Sequence, residues 1–271
     1  MVELQQVTDG GADSAAPEIA AISWTGGKDC NLALLAAWRD PSLLVTSLVC
    51  FKLGSSHRAH PVAFMEAQAT ALGLPLLFVT IETNETTTYK QAYVEGMRQL
   101  RRDHGITVMV TGDMDLVGTM TRNWIEECGE EAGIRAYLPI WGADREACLQ
   151  KLIHERFEVV FSCVKSPFFD GSWIGRKINA ETLAILKTMS QEEVPAGSDH
   201  QPLDLGGERG EYHSMCLNGP LYKSRVAIEI LPDPLVQEID PAVRKEKGWE
   251  GNIHFTRRVW SIAIQESGKA S

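Results

Sequence analysis

Ile19-Ala20-Ala21-Ile22-Ser23-Trp24-Thr25-Gly26-Gly27-Lys28-Asp29-Cys30-Asn31-Leu32-Ala33-Leu34-Leu35-Ala36-Ala37-Trp38 is the stretch on which the reading of this chain turns. An apolar run over residues 19–22 has the look of a short buried strand, and it breaks at Ser23 into a loop with adjacent glycines. The loop opens directly into an Ala/Leu-rich segment with helical spacing, so the order is strand, loop, helix. Gly26 and Gly27 can adopt backbone conformations closed to other residues and let an anion approach without meeting a Cβ. The N–H groups that follow are the unpaired donors of a helix start, where the helix dipole also favours negative charge. Lys28 adds a cation. Such a loop fits phosphate, and its candidate nucleotide-binding residues are Ser23, Thr25, Gly26, Gly27, Lys28, Asp29 and Cys30, with Lys28 and Asp29 as candidates for catalysis and Asp29 for a metal. An ordinary strand-to-helix turn with a solvated lysine is the alternative.

The spacing is too short for a Walker loop, and it is not the Gly-x-Gly-x-x-Gly dinucleotide pattern. Around it, the composition describes a globular chain. With 271 residues and 44% hydrophobic content, one large or two modest domains can bury a core. The net charge of −10 argues against a broad nucleic-acid surface. Six cysteines, with no Cys-x-x-Cys pair, read as reduced thiols of an intracellular chain. Residues 1–18 carry no Lys or Arg and no apolar core. They are expected to be a disordered leader and resemble neither a secretory signal nor a mitochondrial presequence. No apolar run approaches a membrane span, so the expectation is a soluble, cytoplasmic protein.

Downstream the pattern alternates. Strands are expected over residues 43–51, 75–81, 106–111, 134–141 and 158–164, and helices over 61–72, 85–104, 121–132, 144–155 and 179–190. This rhythm predicts an α/β fold, a doubly wound parallel sheet with right-handed crossovers, followed by a smaller α+β C-terminal domain. The expected division is an ATP-binding domain over 19–143, a substrate-binding domain over 144–235 and an extension over 236–271. Gly112-Asp113 falls at the C-terminal end of the fourth strand, the edge where ligands bind in open α/β sheets. Asp113 there could hold Mg²⁺ or a ribose hydroxyl, or cap a turn. His57 and His60, in the loop after the second strand, read as solvated residues, because no third ligand lies at metal-binding spacing.

A second informative stretch is Gly206-Gly207-Glu208-Arg209-Gly210-Glu211-Tyr212-His213-Ser214, followed by Asn218-Gly219-Pro220-Leu221-Tyr222. Carboxylates three apart in a glycine-rich turn repel one another unless a cation joins them. They suggest a site for an ammonium, a cationic substrate or a metal, against the alternative of a hairpin turn with solvated acids. Gly207, Glu208, Gly210, Glu211 and Tyr212 are therefore the candidate substrate-binding residues.

Thr25-Gly26-Gly27-Lys28-Asp29-Cys30 resembles the Ser-Gly-Gly-Lys-Asp-Ser loop of the N-type ATP pyrophosphatases. Together with Leu138-Pro139-Ile140-Trp141, Ile174-Gly175-Arg176, the Gly-Glu-Arg-Gly-Glu-Tyr turn and Gly-Pro-Leu-Tyr, in that order, it resembles the diphthine–ammonia ligase family over about residues 19–230. The resemblance implies a Rossmann-like nucleotide domain and ATP-dependent amidation of the diphthine carboxylate on elongation factor 2, with ATP, Mg²⁺, ammonia and that protein acceptor as partners. In that chemistry the carboxylate attacks the α-phosphorus of ATP, giving an acyl-adenylate and pyrophosphate, and ammonia then displaces AMP. Arg209 stands where the family has glycine, His213 where an acid is usual, and residues 112–122 do not follow the family's Ser-Asp-Tyr-Gln-Arg segment. Met1-Val2 offers no amino-terminal cysteine nucleophile for a glutaminase, so free ammonia is the expected nitrogen source. Another acceptor, such as a tRNA base or a small carboxylate, or a non-catalytic nucleotide sensor, stays open at this point, as does a homodimer.

Overall fold

The first strand, β1 (Glu18–Ser23), is the central strand of a five-stranded parallel sheet. A computed structural model describes residues 16–53, 60–116, 120–193, 201–226, 229–240 and 258–265. His57 and most of the expected leader lie outside the described residues. Compact packing divides the chain in two. One unit holds the described residues up to Gly142 together with Leu221–Ser224, and the other holds Ala143–Pro220 and the described residues from Arg225 onward.

In the first unit, α1 (Lys28–Trp38) follows β1, β2 (Leu43–Leu53) lies beside it, and α2 (Val62–Leu72), β3 (Leu76–Ile81), α3 (Tyr89–His104), β4 (Val108–Val110), α4 (Trp124–Ala132) and β5 (Arg135–Tyr137) complete the alternation. The strands of this sheet are parallel throughout, as their near-continuous apolar runs require. Ala20, Ala21, Ile22, Leu48 and Val49 are completely covered. A core cluster of Met97, Ile106, Met109, Ile125 and Cys128 fills one side of the sheet. From β1 the chain builds outward to β2 and β3, then returns to the other side of β1 for β4 and β5. That reversal sets the loops after β1 and β4 side by side, the place where open α/β sheets receive ligands.

Element ends differ from the sequence expectation where side chains compete for the backbone. Helix α3 begins at Tyr89 instead of residue 85, because the Asn84 carboxamide accepts from Thr86 N and Thr87 N and holds a turn there. Thr88 and Gln91 then form a reciprocal capping box. Asn123 accepts from Ile125 N and Glu126 N, so α4 starts at Trp124 instead of 121. Strand β5 stops at Tyr137 because Pro139 has no N–H to offer the ladder, and residues 138–141 close a turn through Trp141 N to Leu138 O.

The second unit is α+β. After α5 (Arg145–His154), capped by Asp144, the strand β6 (Glu158–Lys165) pairs antiparallel with β7 (Tyr212–Asn218), and α6 (Ala180–Ser190) comes between them in sequence. The two-residue strand β8 (Glu229–Ile230) follows, then β9 (Leu235–Glu238), β10 (Arg258–Ser261) and β11 (Ile264–Gln265). The four-stranded sheet has the order β7-β6-β10-β9, and β8 pairs with β11. The region expected as a separate extension over 236–271 thus contributes strands to the sheet of the second unit.

Candidate functional site

The loop after β1 is fixed by its carbonyl groups. His60 Nδ1 lies 2.5 Å from Thr25 O, and because a carbonyl only accepts, the imidazole donates there. Gln68 Nε2 donates to Gly26 O at 3.0 Å, and Asn31 Nδ2 donates to Gly27 O at 2.8 Å. Three successive carbonyls are therefore turned toward protein donors. In a trans peptide the N–H points opposite to the C=O. The N–H groups of Gly26, Gly27 and Lys28 thus face the other way as a row of donors, continued by the first turn of α1. No side chain caps that helix start. A row of this kind is an anion-binding concavity.

Gly26 has φ +82°, and a Cβ there would come within 2.5 Å of Gln68 Oε1 and 2.8 Å of Phe64 Cε1. Only glycine satisfies both the conformation and the space. Ser23 is half-buried at the end of β1, and Thr25 is exposed at the loop tip. Lys28, expected at a solvent-facing edge, is 5% exposed. Its ammonium lies 2.9 and 2.7 Å from the carboxylate oxygens of Asp29. A charge at the start of a helix backed by β4 has little open solvent on its protein side, and it takes the adjacent carboxylate as partner. Cys30 is buried and faces inward, its thiol donating to Gly27 O at 3.2 Å and accepting from the Thr25 hydroxyl at 3.8 Å. Burial pushes that thiol up to about 11, so it is neutral at ordinary pH.

From the neighbouring strand end, Gly112 presses on the first turn of α1. A Cβ there would lie 2.4 Å from Asp29 C and 2.6 Å from Cys30 N. Gly112 therefore acts by its smallness, letting two backbones touch. Asp113, just beyond it, accepts from Asn123 Nδ2 at 2.7 Å, which ties the start of α4 to the end of β4.

In the second unit, the glycine-rich turn leads into β7. Glu211 is 2% exposed, and its carboxylate accepts from Asp204 N and Arg209 N, both at 3.0 Å. Burial raises its proton affinity above the ordinary carboxylate range, with backbone donors at Asp204 and Glu211 and the Arg209 charge opposing the shift and the Asp204 charge adding to it. Glu208 is exposed. The two acids thus do not face one pocket as expected; Glu211 organises the turn from inside, and Glu208 lies on its outer side. Tyr212, a candidate substrate-binding residue, is enclosed. Its ring is buried against Phe161 at 4.9 Å and Phe169 at 5.8 Å, and its hydroxyl donates to Leu205 O at 2.6 Å. A ring enclosed in this way offers no open face to a cation. Gly207 has φ +74°, and a Cβ there would be 2.9 Å from the Tyr212 ring, while Gly210 has φ +79°. The glycines serve the turn's shape.

The family model of the diphthamide synthase N-terminal domain matches residues 18–136, and that of the diphthamide synthase C-terminal domain matches residues 144–259. The chain belongs to the diphthamide synthase family. No curated protein sequence matches it. Among solved structures, the chain is similar to one described as the predicted subunit of tRNA methyltransferase from Methanocaldococcus jannaschii. That match has 14% identity and a TM-score of 0.38, and covers 74% of this chain and 97% of the other. Membership in the diphthamide synthase family points to an ATP-using pyrophosphate-loop enzyme acting in diphthamide synthesis. The loop sets the N–H groups of Gly26, Gly27 and Lys28 beside a helix start that no side chain caps. Among the described residues no group of three His, Cys, Asp or Glu side chains could hold a metal ion by itself. Nor is any helix among them long and apolar enough to cross a membrane.

Sequence reasoning missed His60, Gln68 and Asn31 as supports of the loop. His60, read as solvated, is 6% exposed. Polar residues on otherwise apolar elements, Gln68 on α2 and Asn31 on α1, were the available signal. A buried carboxamide needs partners, and here the partners are loop carbonyls.

Proposed function

We propose that the enzyme activates a carboxylate on a protein acceptor as an acyl-adenylate and amidates it with ammonia, the acceptor being diphthine on elongation factor 2. The observation that carries the reading is the inward set of the Thr25, Gly26 and Gly27 carbonyls, which aims the succeeding N–H groups at one anion position. A carboxylate is a poor electrophile at neutral pH. Its oxygen attacks the α-phosphorus of ATP, the bond to the bridging oxygen breaks, and the leaving pyrophosphate gathers charge where the loop N–H groups and Lys28 lie. Preorganised donors at the site of developing charge are worth about 2–4 kcal/mol each in a transition state. Ammonia then adds to the acyl carbon and AMP leaves with the electron pair. Asp29, in the first turn of α1, and Asp113, just past β4, would hold Mg²⁺, an ion that asks for one or two carboxylates plus phosphate oxygens. It would supply charge neutralisation on the phosphates. On the second unit, the exposed Glu208 would meet the cationic acceptor, while Glu211 and Tyr212 shape the turn that presents it.

The test incubates the protein with ATP, ammonium and diphthine-bearing elongation factor 2. The reading expects AMP, pyrophosphate and amidated acceptor in equal amounts. Release of ADP, or pyrophosphate release indifferent to the acceptor, would refute it.

A further inference from the structure

Two of the loop carbonyls are held by side-chain amides, and both amides meet at one phenol. The Tyr222 hydroxyl accepts from Gln68 Nε2 at 3.3 Å and donates to Asn31 Oδ1 at 2.9 Å. The same Gln68 nitrogen holds Gly26 O, and the Asn31 nitrogen holds Gly27 O. Gln68 is 0% and Asn31 1% exposed, so water cannot replace these partners.

A carboxamide can turn over, exchanging its oxygen and nitrogen with almost no change of shape. Only its hydrogen-bond partners decide which end points where. Turned over, Asn31 would set an oxygen against Gly27 O, two acceptors face to face. The Tyr222 hydroxyl hydrogen on Oδ1 excludes that state. Gln68 is held from the opposite end by Trp24 Nε1, which can only donate and so requires Oε1, at 3.0 Å. Tyr222 stands within a four-residue segment, Leu221–Ser224, that belongs to the first unit although the chain on both sides of it belongs to the second. Lys223 N anchors this segment by donating to Ala71 O at 2.8 Å.

We propose that Tyr222 is a positioning residue for the phosphate loop, fixing the orientation of the Asn31 and Gln68 carboxamides so that the N–H groups of Gly27 and Lys28 stay aimed at ATP. The inference rests on the reading of the loop as the ATP site. It deepens that reading by making the loop depend on a residue supplied nearly two hundred positions later in the chain.

The experiment titrates ATP against the full-length wild type, Tyr222→Phe, Asn31→Ala and the double variant, with thermal unfolding of each and steady-state rates where turnover is seen. Tyr222→Phe keeps the ring and removes one donor and one acceptor. The expected result is about tenfold weaker ATP binding, the scale of one or two buried hydrogen bonds. KM for ATP should rise by the same factor, with kcat at saturating ATP within about twofold and the unfolding temperature lower by only about 2–6 °C, the scale of those lost bonds. Because the phenol acts through Asn31, the double variant should lose less than the product of the two single losses. Asn31→Ala breaks the same latch from its other end and serves if the first variant is poorly folded. Wild-type affinity in both variants would overturn the proposal, and so would losses that multiply independently or that only follow a fall in unfolding temperature. If the wild type itself fails to bind ATP, the ATP reading of the loop falls, a result distinct from any difference between variants.

Discussion

Gly26→Ala tests the loop at its most constrained point. The native φ of +82° is one that an L side chain rarely adopts, and left-handed backbone costs alanine about 1–2 kcal/mol. The new methyl would also stand 2.5 Å from Gln68 Oε1 and 2.8 Å from Phe64 Cε1. Both side chains are 0% exposed, so neither can swing into solvent to make room. Gln68 would have to retreat, breaking its bond from Trp24 Nε1 or its bond to Gly26 O. Each such buried bond is worth about 1 kcal/mol, and leaving a buried polar group without its partner costs about 1–3 kcal/mol. The sum is roughly 3–6 kcal/mol, a large fraction of the ~5–15 kcal/mol that holds a domain folded. Urea unfolding followed by tryptophan fluorescence reads the loss directly, since Trp24 is one of the groups displaced. ATP titration of whatever remains folded reads the loop. Stability within about 1 kcal/mol of wild type together with unchanged ATP affinity would refute the idea that glycine is required here for shape and space.

Four further outcomes are expected. Lys28→Ala should cut acceptor-dependent pyrophosphate release by about a hundredfold or more, the scale of one lost charge-assisted contact in the transition state, and wild-type release would sink the assignment. Cys30→Ser should keep or improve ATP binding, because a hydroxyl donates to Gly27 O more strongly than a thiol and takes less room; calorimetric loss of affinity would count against it. Glu211→Gln should destabilise the second unit by about 1–3 kcal/mol, since an amide N–H would face a backbone N–H, while ATP affinity changes by less than about threefold; a collapse of ATP binding without acceptor would instead make Glu211 part of the nucleotide site. Burial raises the Cys30 and Cys50 thiols from 9.0 to about 11. Their stabilisation is complete below pH 9 and is lost as pH rises toward 11, because only the unfolded chain ionises in that window. A urea midpoint that stays flat across it would contradict their burial.

Much of the fold was legible because it is local. The period of the apolar residues set strands and helices, and glycines at positions 73, 105 and 133 closed helices in left-handed turns as their position suggested. The phosphate loop, too, declares itself within a few consecutive residues, since strand end, glycine pair and helix start are neighbours along the chain. Local pattern could not say what would meet that loop from elsewhere. His60, Gln68 and Tyr222 reach it, or the amides that hold it, only because the sheet order folds α2 and the segment around 222 onto the ends of β1 and α1. The same limit hid the burial of Lys28 and the inward turn of Glu211. Charge type is written in the sequence, but whether a charge meets solvent depends on the backbone packed beside it. The tail shows this most plainly. Residues 258–261 become part of a sheet only by pairing with β6, which lies some hundred residues earlier, and residues 235–238 only by pairing with 258–261. A strand's hydrogen bonds are made with a partner, and the partner is chosen by tertiary structure.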